Sequence, residues 1–347
     1  MTGAGAFLRG LSTCSRQLCW CRQFAWQLRR LAAGISLATG LLLLAPCSGW
    51  AWGCQGHQVV ALIAEKHFTP QARAMVEKIL KDGPIDPTLN RYCKDAPADA
   101  MADASTWADD FRTRHPETGP WHYVDIPRGV SEFDLAKLCV ESNGCVTQAI
   151  RDQLAILHSP AATPQKKGDA MRFLIHFVGD IHQPLHAATN NDQGGNCVPV
   201  AFFGESAKLT YSDTESSAPN LHGIWDSGVL SRIMGEKTVQ QVADEFDRDR
   251  AQDISKLMRD RPDAEAWAWE SFRLAEAIVY GKLPVAIPVE WPVVTSSCAD
   301  DDHISTRMLD LNEQIGQTYQ DAAAPVVKQQ IANAGARLAL LLNQLWP

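Results

Sequence analysis

Residues 173–186 read FLIHFVGDIHQPLH, and the fold turns on how this stretch is read. On a helix, His176 and Asp180 stand four residues apart and project from one face. Phe173, Phe177 and Ile181 then turn to other sides, where they can pack. Pro184 ends the helix, and His186 returns just beyond it. Imidazole nitrogens and a carboxylate brought to one point by a rigid helix make a zinc or other transition-metal site. The competing reading of the same residues is a buried His–Asp hydrogen bond beneath an apolar helix.

A second stretch, NLHGIWD at 220–226, repeats the spacing with His222 and Asp226. One such pair is commonly a surface feature. Two of them, each among apolar and aromatic neighbours, fit solvated faces poorly. STWADDFR (105–112) puts Asp109 behind an apolar patch with Arg112 three residues on. WHYVDIP (121–127) sets His122 and Asp125 in an aromatic, β-prone run. Each segment alone reads as an ordinary buried polar group or a solvated acid. Together they offer Asp109, His122, His176, Asp180, His186, His222 and Asp226, too many ligands for one tetrahedral zinc, which points to a cluster.

Helical periodicity dominates the rest of the chain. It runs over 57–81 with an interruption near Pro70, then over 147–158, 165–182, 238–260, 262–280 and 319–345. Period-two patterns are scarce, and VPVAFF (198–203) reads as one short strand. The polar stretch GESAKLTYSDTESSAPN (204–220) reads as a surface loop. The expectation is a mainly α, compact multi-helix domain. His67, His115, His158, His182 and His303 read as structural or surface residues, and Trp107, Trp121 and Trp225 as packing beside the candidate ligands.

The N-terminus reads as an export leader. Arg29 and Arg30 precede an apolar run to Pro46 that is too short to cross a bilayer comfortably. The GWA ending at Ala51 places small residues where a signal peptidase reads them, so cleavage is expected before Trp52. A lipoprotein anchor at Cys47 fits less well, because Pro46 sits where a small residue belongs. Domain organisation is therefore read as a cleaved leader, 1–51, and one domain, 52–347. The formal charge of −8 becomes −13 when the leader's five arginines leave with it. An acidic chain suits a polyanionic partner badly unless metal ions supply local positive charge. Six cysteines remain, namely Cys54, Cys93, Cys139, Cys145, Cys197 and Cys298. An even number in an exported chain suggests disulfides, and Cys139 with Cys145 makes the best pair. No Asn-x-Ser/Thr sequon occurs, so a bacterial periplasm fits better than a eukaryotic exterior; after cleavage of the leader a periplasmic or secreted location is expected, with no stable membrane association.

In the order and spacing of WGxxGH, WAD, WHYVDIP, HFxGDxHQPLH, GGN and NLHxxWD, and in the C-terminal AGARLALLLN, the chain resembles the S1/P1 nuclease family of zinc-dependent single-strand nucleases. The resemblance implies the phospholipase C/P1 nuclease type of helical fold and three zinc ions. Asp109, His122 and His176 match the ligands of one ion, and Asp180 bridges it to a second. That second ion takes His57 together with the amine and carbonyl of Trp52, the new N-terminal residue. His186, His222 and Asp226 match the third site. Asp125 matches the acid that orients the attacking water, and Arg112 the base that steadies the phosphate. Tyr123 falls where the family supplies one ring of a base clamp, Asn196 of GGN falls on the substrate, and the facing wall falls near the polar Asp192 and Gln193.

The implied reaction is hydrolysis of single-stranded DNA and RNA to 5′-phosphorylated products, with 3′-nucleotides as further substrates, by a zinc-bridged hydroxide in a monomer. Positive zinc ions in the pocket would reconcile the acidic chain with a polyanion. Three other readings stand beside this one. Bacterial zinc-dependent phospholipase C has a similar site but tends to use Glu where Asp226 stands. A non-catalytic exported zinc-binding protein would need neither Asp125 nor Arg112. A plain helical binding protein would leave the spacings to coincidence.

Overall fold

Apolar helical stripes need a partner to bury against, and the C-terminal one supplies it. In a computed structural model, which describes residues 52–93, 99–206, 220–289, 298 and 315–347, helix α1 (Gly53–Lys66) is buried continuously from Gly56 to Ala64. A helix apolar all round belongs inside a core. It packs on the last helix, α13 (Gln317–Leu345). Gly335 permits the contact, because a Cβ there would stand 2.5 Å from the Ile63 Cγ2 atom.

Pro70 opens a new helix and does not merely interrupt one. The Thr69 hydroxyl accepts from the Ala72 N–H at 3.0 Å, and α2 runs Pro70–Asp82 with the proline in its first turn. The same device starts the long helix α7 (Pro164–Asp180), where Thr163 caps the Lys166 amide. Beside α7 lies α6 (Val146–His158). The periodic stretch 238–260 is two helices, α10 (Val239–Asp249) and α11 (Ala251–Leu257), broken at Arg250. Helix α12 (Ala264–Leu274) continues as a π-turn over Ala275–Tyr280.

Short pieces fill the space around the end of α7. These are α3 (Ala100–Ala104), α4 (Trp107–Arg112), a 3₁₀ turn (Pro116–His122), α5 (Leu135–Glu141), a second 3₁₀ turn (Pro184–His186), α8 (Leu221–Gly223), a π-turn (Ile224–Gly228) and α9 (Val229–Met234). Five to seven residues carry too little periodicity to be seen in sequence, which is why α3, α4, α5 and α9 are not anticipated. The β-prone WHYVDIP run does not form a strand. Its first residues close the 3₁₀ turn, and its extended part makes only an isolated bridge, Pro127 to Thr189. Within VPVAFF the strand shrinks to β1 (Ala201–Phe202), paired antiparallel with β2 (Glu205–Ser206). Apart from that hairpin, the described residues are helical or irregular, as expected of a mainly α chain.

Among the described residues there are three disulfides. Cys139–Cys145 closes the short loop expected of it, and Cys54–Cys93 and Cys197–Cys298 complete the set. Among the described residues no helix is long and apolar enough to cross a membrane. The leader 1–51, most of the 204–220 loop and His303 lie outside the described residues.

The α1–α13 contact yields a direct test. Gly335→Ala forces a methyl into Ile63, and overpacking of this kind typically costs about 1–3 kcal/mol. Urea unfolding of the variant should show a lower midpoint at unchanged slope; an unchanged midpoint would mean the two helices do not touch there.

Candidate metal centre

The last turn of α7 sets the site. His176 and Asp180 lie on one face, both fully buried. Helix α1 lays His57 flat against His176, with ring centroids 3.9 Å apart and planes inclined by 13°. That approach needs Gly179, since a Cβ there would stand 2.7 Å from His57 Nδ1. The 3₁₀ turn brings His122, and α4 brings Asp109 and Arg112. Asp180 Oδ2 lies 2.9 Å from His122 Nδ1 and 3.3 Å from His176 Nε2. Its Oδ1 lies 3.3 Å from His57 Nε2. Asp109 reaches His176 Nε2 at 3.7 Å and His122 Nδ1 at 3.9 Å. Arg112 Nη2 sits 3.3 Å from the Asp109 carboxylate.

A third group forms alongside. His222 in α8 and Asp226 in the following π-turn stand 3.3 Å apart, and His186 comes from the second 3₁₀ turn. His186 Nδ1 lies 4.0 Å from Asp180 Oδ1, so the two halves adjoin. Three donor sets of metal-binding geometry result: His57, His176 and Asp180; Asp109, His122 and His176; and His186, His222 and Asp226.

Backbone carbonyls orient three of the rings. His176 Nδ1 donates to Ser105 O at 2.7 Å, His186 Nδ1 to His122 O at 2.8 Å, and His222 Nδ1 to Gly194 O at 2.7 Å. A carbonyl can only accept, so each Nδ1 carries a proton and each Nε2 is turned toward the cluster. Metal-binding histidines are fixed in this way by outer partners. Gln183, which sequence alone did not single out, does the same for a carboxylate. Its amide donates to Asp226 Oδ1 at 2.6 Å while its own oxygen accepts from the Leu185 N–H. Buried atoms left without a hydrogen-bond partner include Nε2 of His57, His122, His186 and His222, and Oδ1 of Asp109 and Asp180. A buried polar atom without a partner costs about 1–3 kcal/mol. Six gathered at one place fit divalent ions.

Charge follows the same logic. Burial pushes the Asp180 carboxyl up, but the His176 charge and the close His122, His176 and His57 rings outweigh it and hold the group well below the carboxylate range. Burial lowers His176, yet Asp180 and Asp109 raise it to about 9. For His122 burial wins and takes it to about 4. Burial, reinforced by His186, takes His222 to about 3. Burial also drives Asp226 well above its ordinary value. Arg112 is within electrostatic reach of His122, His186, His222 and Asp226, so one guanidinium overlooks both halves.

The other expected residues fall as follows. Trp52 is wholly buried, its indole donating to Gly179 O at 2.8 Å and its carbonyl accepting from Gly56 N at 3.0 Å. Tyr123 is partly exposed, with its phenol pushed up to about 12 by burial and by Asp125. Asn196 uses its amide to close a turn onto Gln193 O at 2.8 Å. Asp192 does not line a wall. It is fully buried, one oxygen accepting from the Asn190 and Gly195 amides and the other from the Tyr280 hydroxyl, so it shapes the loop that presents the Gly194 carbonyl. His182 is a core residue, bonded to Val178 O and Arg337. His67 pairs with Asp247, and His115 pairs with Glu117 and stacks on Phe111. Trp107 and Trp225 are buried, and Trp121 packs on Phe173.

Residues 52–347 match the family model described as S1/P1 Nuclease. Nuclease S1 of Aspergillus oryzae is 29% identical over 307 residues, 85% of this chain and 91% of that protein. Endonuclease 2 of Arabidopsis thaliana is 25% identical over 325 residues, 89% and 96% of the two chains. Nuclease P1 of Penicillium citrinum is 25% identical over 304 residues, 85% and 97%.

Asp125 offers a pH signature in the metal-free protein. Burial, with Asp192 beside it, lifts its carboxyl from 3.8 to about 7. The folded chain then holds a proton that the unfolded chain releases, so the stability it contributes is full below the unfolded value and lost as pH rises through about 7. The unfolding free energy of the chelator-treated protein should decline less steeply between about pH 4 and 7 in Asp125→Asn than in the wild type. Equal slopes would show that Asp125 does not carry the shift imposed by its half-buried place beside Asp192.

Proposed function

The chain belongs to the S1/P1 nuclease family and hydrolyses phosphoester bonds of nucleic acids; on that premise we propose that it is an exported endonuclease cutting single-stranded DNA and RNA to 5′-phosphorylated products, and acting on 3′-nucleotides, with three zinc ions. The buried imidazole and carboxylate atoms that lack hydrogen-bond partners carry this reading. Asp109, His122 and His176 would hold one ion, with Asp180 shared with a second that His57 and the Trp52 amine and carbonyl complete. His186, His222 and Asp226 would hold the third. Zinc, when bound, supplies an acidic water and positive charge at the phosphoryl oxygens.

The chain's own residues do the rest. Arg112 donates to the phosphate from a position overlooking both halves. Asp125, as a carboxylate, accepts a hydrogen bond from the attacking water and aims it. Tyr123 stacks on a base, and Asn196 offers its amide oxygen at the same end. A recessed cluster favours a flexible single strand, whose phosphates can be drawn in and whose bases can stack without being read. Removal of the leader before Trp52 frees an amine on a residue already held against Gly179, so export is part of activation of a monomeric domain spanning 52–347. Disulfides fit the oxidising periplasmic or extracellular setting.

Asp180→Ala should lower nuclease activity by more than the roughly 10–100-fold typical of losing an outer partner of a metal ligand, and should lose bound zinc. Full turnover with full zinc would sink the assignment. On the wild type, single-stranded DNA and RNA should be cut faster than duplex, with 5′-phosphate ends, and phosphatidylcholine left intact. A chain carrying extra residues before Trp52 should be impaired; wild-type activity there would remove the amine from the ligand set.

A further inference from the structure

We propose that Arg91, seated beside the Cys54–Cys93 disulfide, is a positioning residue for the paired half of the metal centre, the half built on Asp109, His122, His176, Asp180 and His57. The proposal rests on the zinc reading above and concerns residues that touch neither ion nor substrate.

Three consecutive residues in an irregular segment grip two ligand-bearing pieces of the chain and the turn whose carbonyl orients a third ligand. Arg91 Nε lies 2.5 Å from Asp110 Oδ2, and the Tyr92 N–H donates to Asp110 Oδ1 at 3.0 Å. Asp110 is fully buried and adjoins the ligand Asp109 in α4. The same guanidinium donates to Asp103 O at 2.8 Å and to the Thr106 hydroxyl at 3.0 Å, and pairs with the Asp103 carboxylate at 3.1 Å. Those anchors flank Ser105, whose carbonyl fixes the His176 ring. Cys93 then ties the segment to Cys54, in the first turn of α1 between Trp52 and His57.

A planar guanidinium with a fixed fork of donors can hold a carboxylate, a carbonyl and a hydroxyl at set angles, and a lysine ammonium cannot. Displacement of Ser105 would turn His176, displacement of α4 would move Asp109, and release of Cys54 would loosen the start of α1. Among the described residues, none of these contacts involves His186, His222 or Asp226. The brace is one-sided, and that asymmetry separates a positioning role from a general structural one.

The test is zinc affinity, read in chelator-buffered zinc in two backgrounds. His222→Ala disables the third group and leaves the paired half; Asp180→Ala disables the paired half and leaves the third. Arg91→Lys should weaken zinc binding about 10–100-fold in the first background, the range typical for partners of metal ligands, and leave it unchanged in the second. If Arg91→Lys does not fold, the Cys54→Ser/Cys93→Ser double variant, which keeps the Arg91–Asp110 pair, should show the same asymmetry. Equal weakening in both backgrounds, or none in the first, overturns the proposal. A wild-type chain that binds no zinc overturns the underlying metal reading and the proposal with it.

Discussion

Asp180 is a carboxylate removed from water and held between three imidazoles, and the architecture around it is arranged to make that tolerable. Taking an ion out of water costs several kcal/mol unless close partners repay it. His57, His122 and His176 are those partners, and they arrive from α1, from a 3₁₀ turn and from α7 itself. All three must meet within about 3 Å of one side chain, so the central packing of α1 and α7 is a condition for the site. In the metal-free state, the raised His176 is charged at neutral pH and the lowered His122 is neutral. Two buried carboxylates then face a single extra positive charge, Arg112 apart. Divalent cations complete such a cluster where further protons cannot.

Precision comes from groups that never touch a substrate. The carbonyls of Ser105, His122 and Gly194 fix which ring nitrogen bears the proton. Asp192, reached by the Tyr280 hydroxyl, shapes the loop carrying the Gly194 carbonyl. Gln183 holds Asp226. Covalent links add to this. Cys54–Cys93 anchors the end of α1 that carries His57, and Cys197–Cys298 ties the loop that begins at Asp192 to a distant part of the chain. A site assembled from several short elements depends on such links more than one carried by two long helices.

Much of this was legible in the residues. The i, i+4 spacing of His176 with Asp180 and of His222 with Asp226 survives folding, because helical geometry is local and regular. The Cys139–Cys145 loop follows from its shortness, whereas the Thr69–Pro70 pair that starts α2 reads as an interruption of one helix. Other features were hidden for physical reasons. α4, which carries Asp109, is six residues long and shows no period. Backbone acceptors such as Ser105 O leave no trace in residue identity. Asp192 reads as a polar wall residue, but three hydrogen bonds let it sit fully buried. Arg91 looks like an ordinary surface cation, and only tertiary structure shows what it joins.

The acidic chain and its polyanionic substrate are reconciled only if the cluster carries metal charge. Zinc content therefore bears on the reading most directly. The protein purified from an exporting host, with its N-terminus sequenced, should begin at Trp52 and retain three zinc ions per chain after dialysis. A chain that begins at Trp52 and holds one zinc ion or none would contradict it.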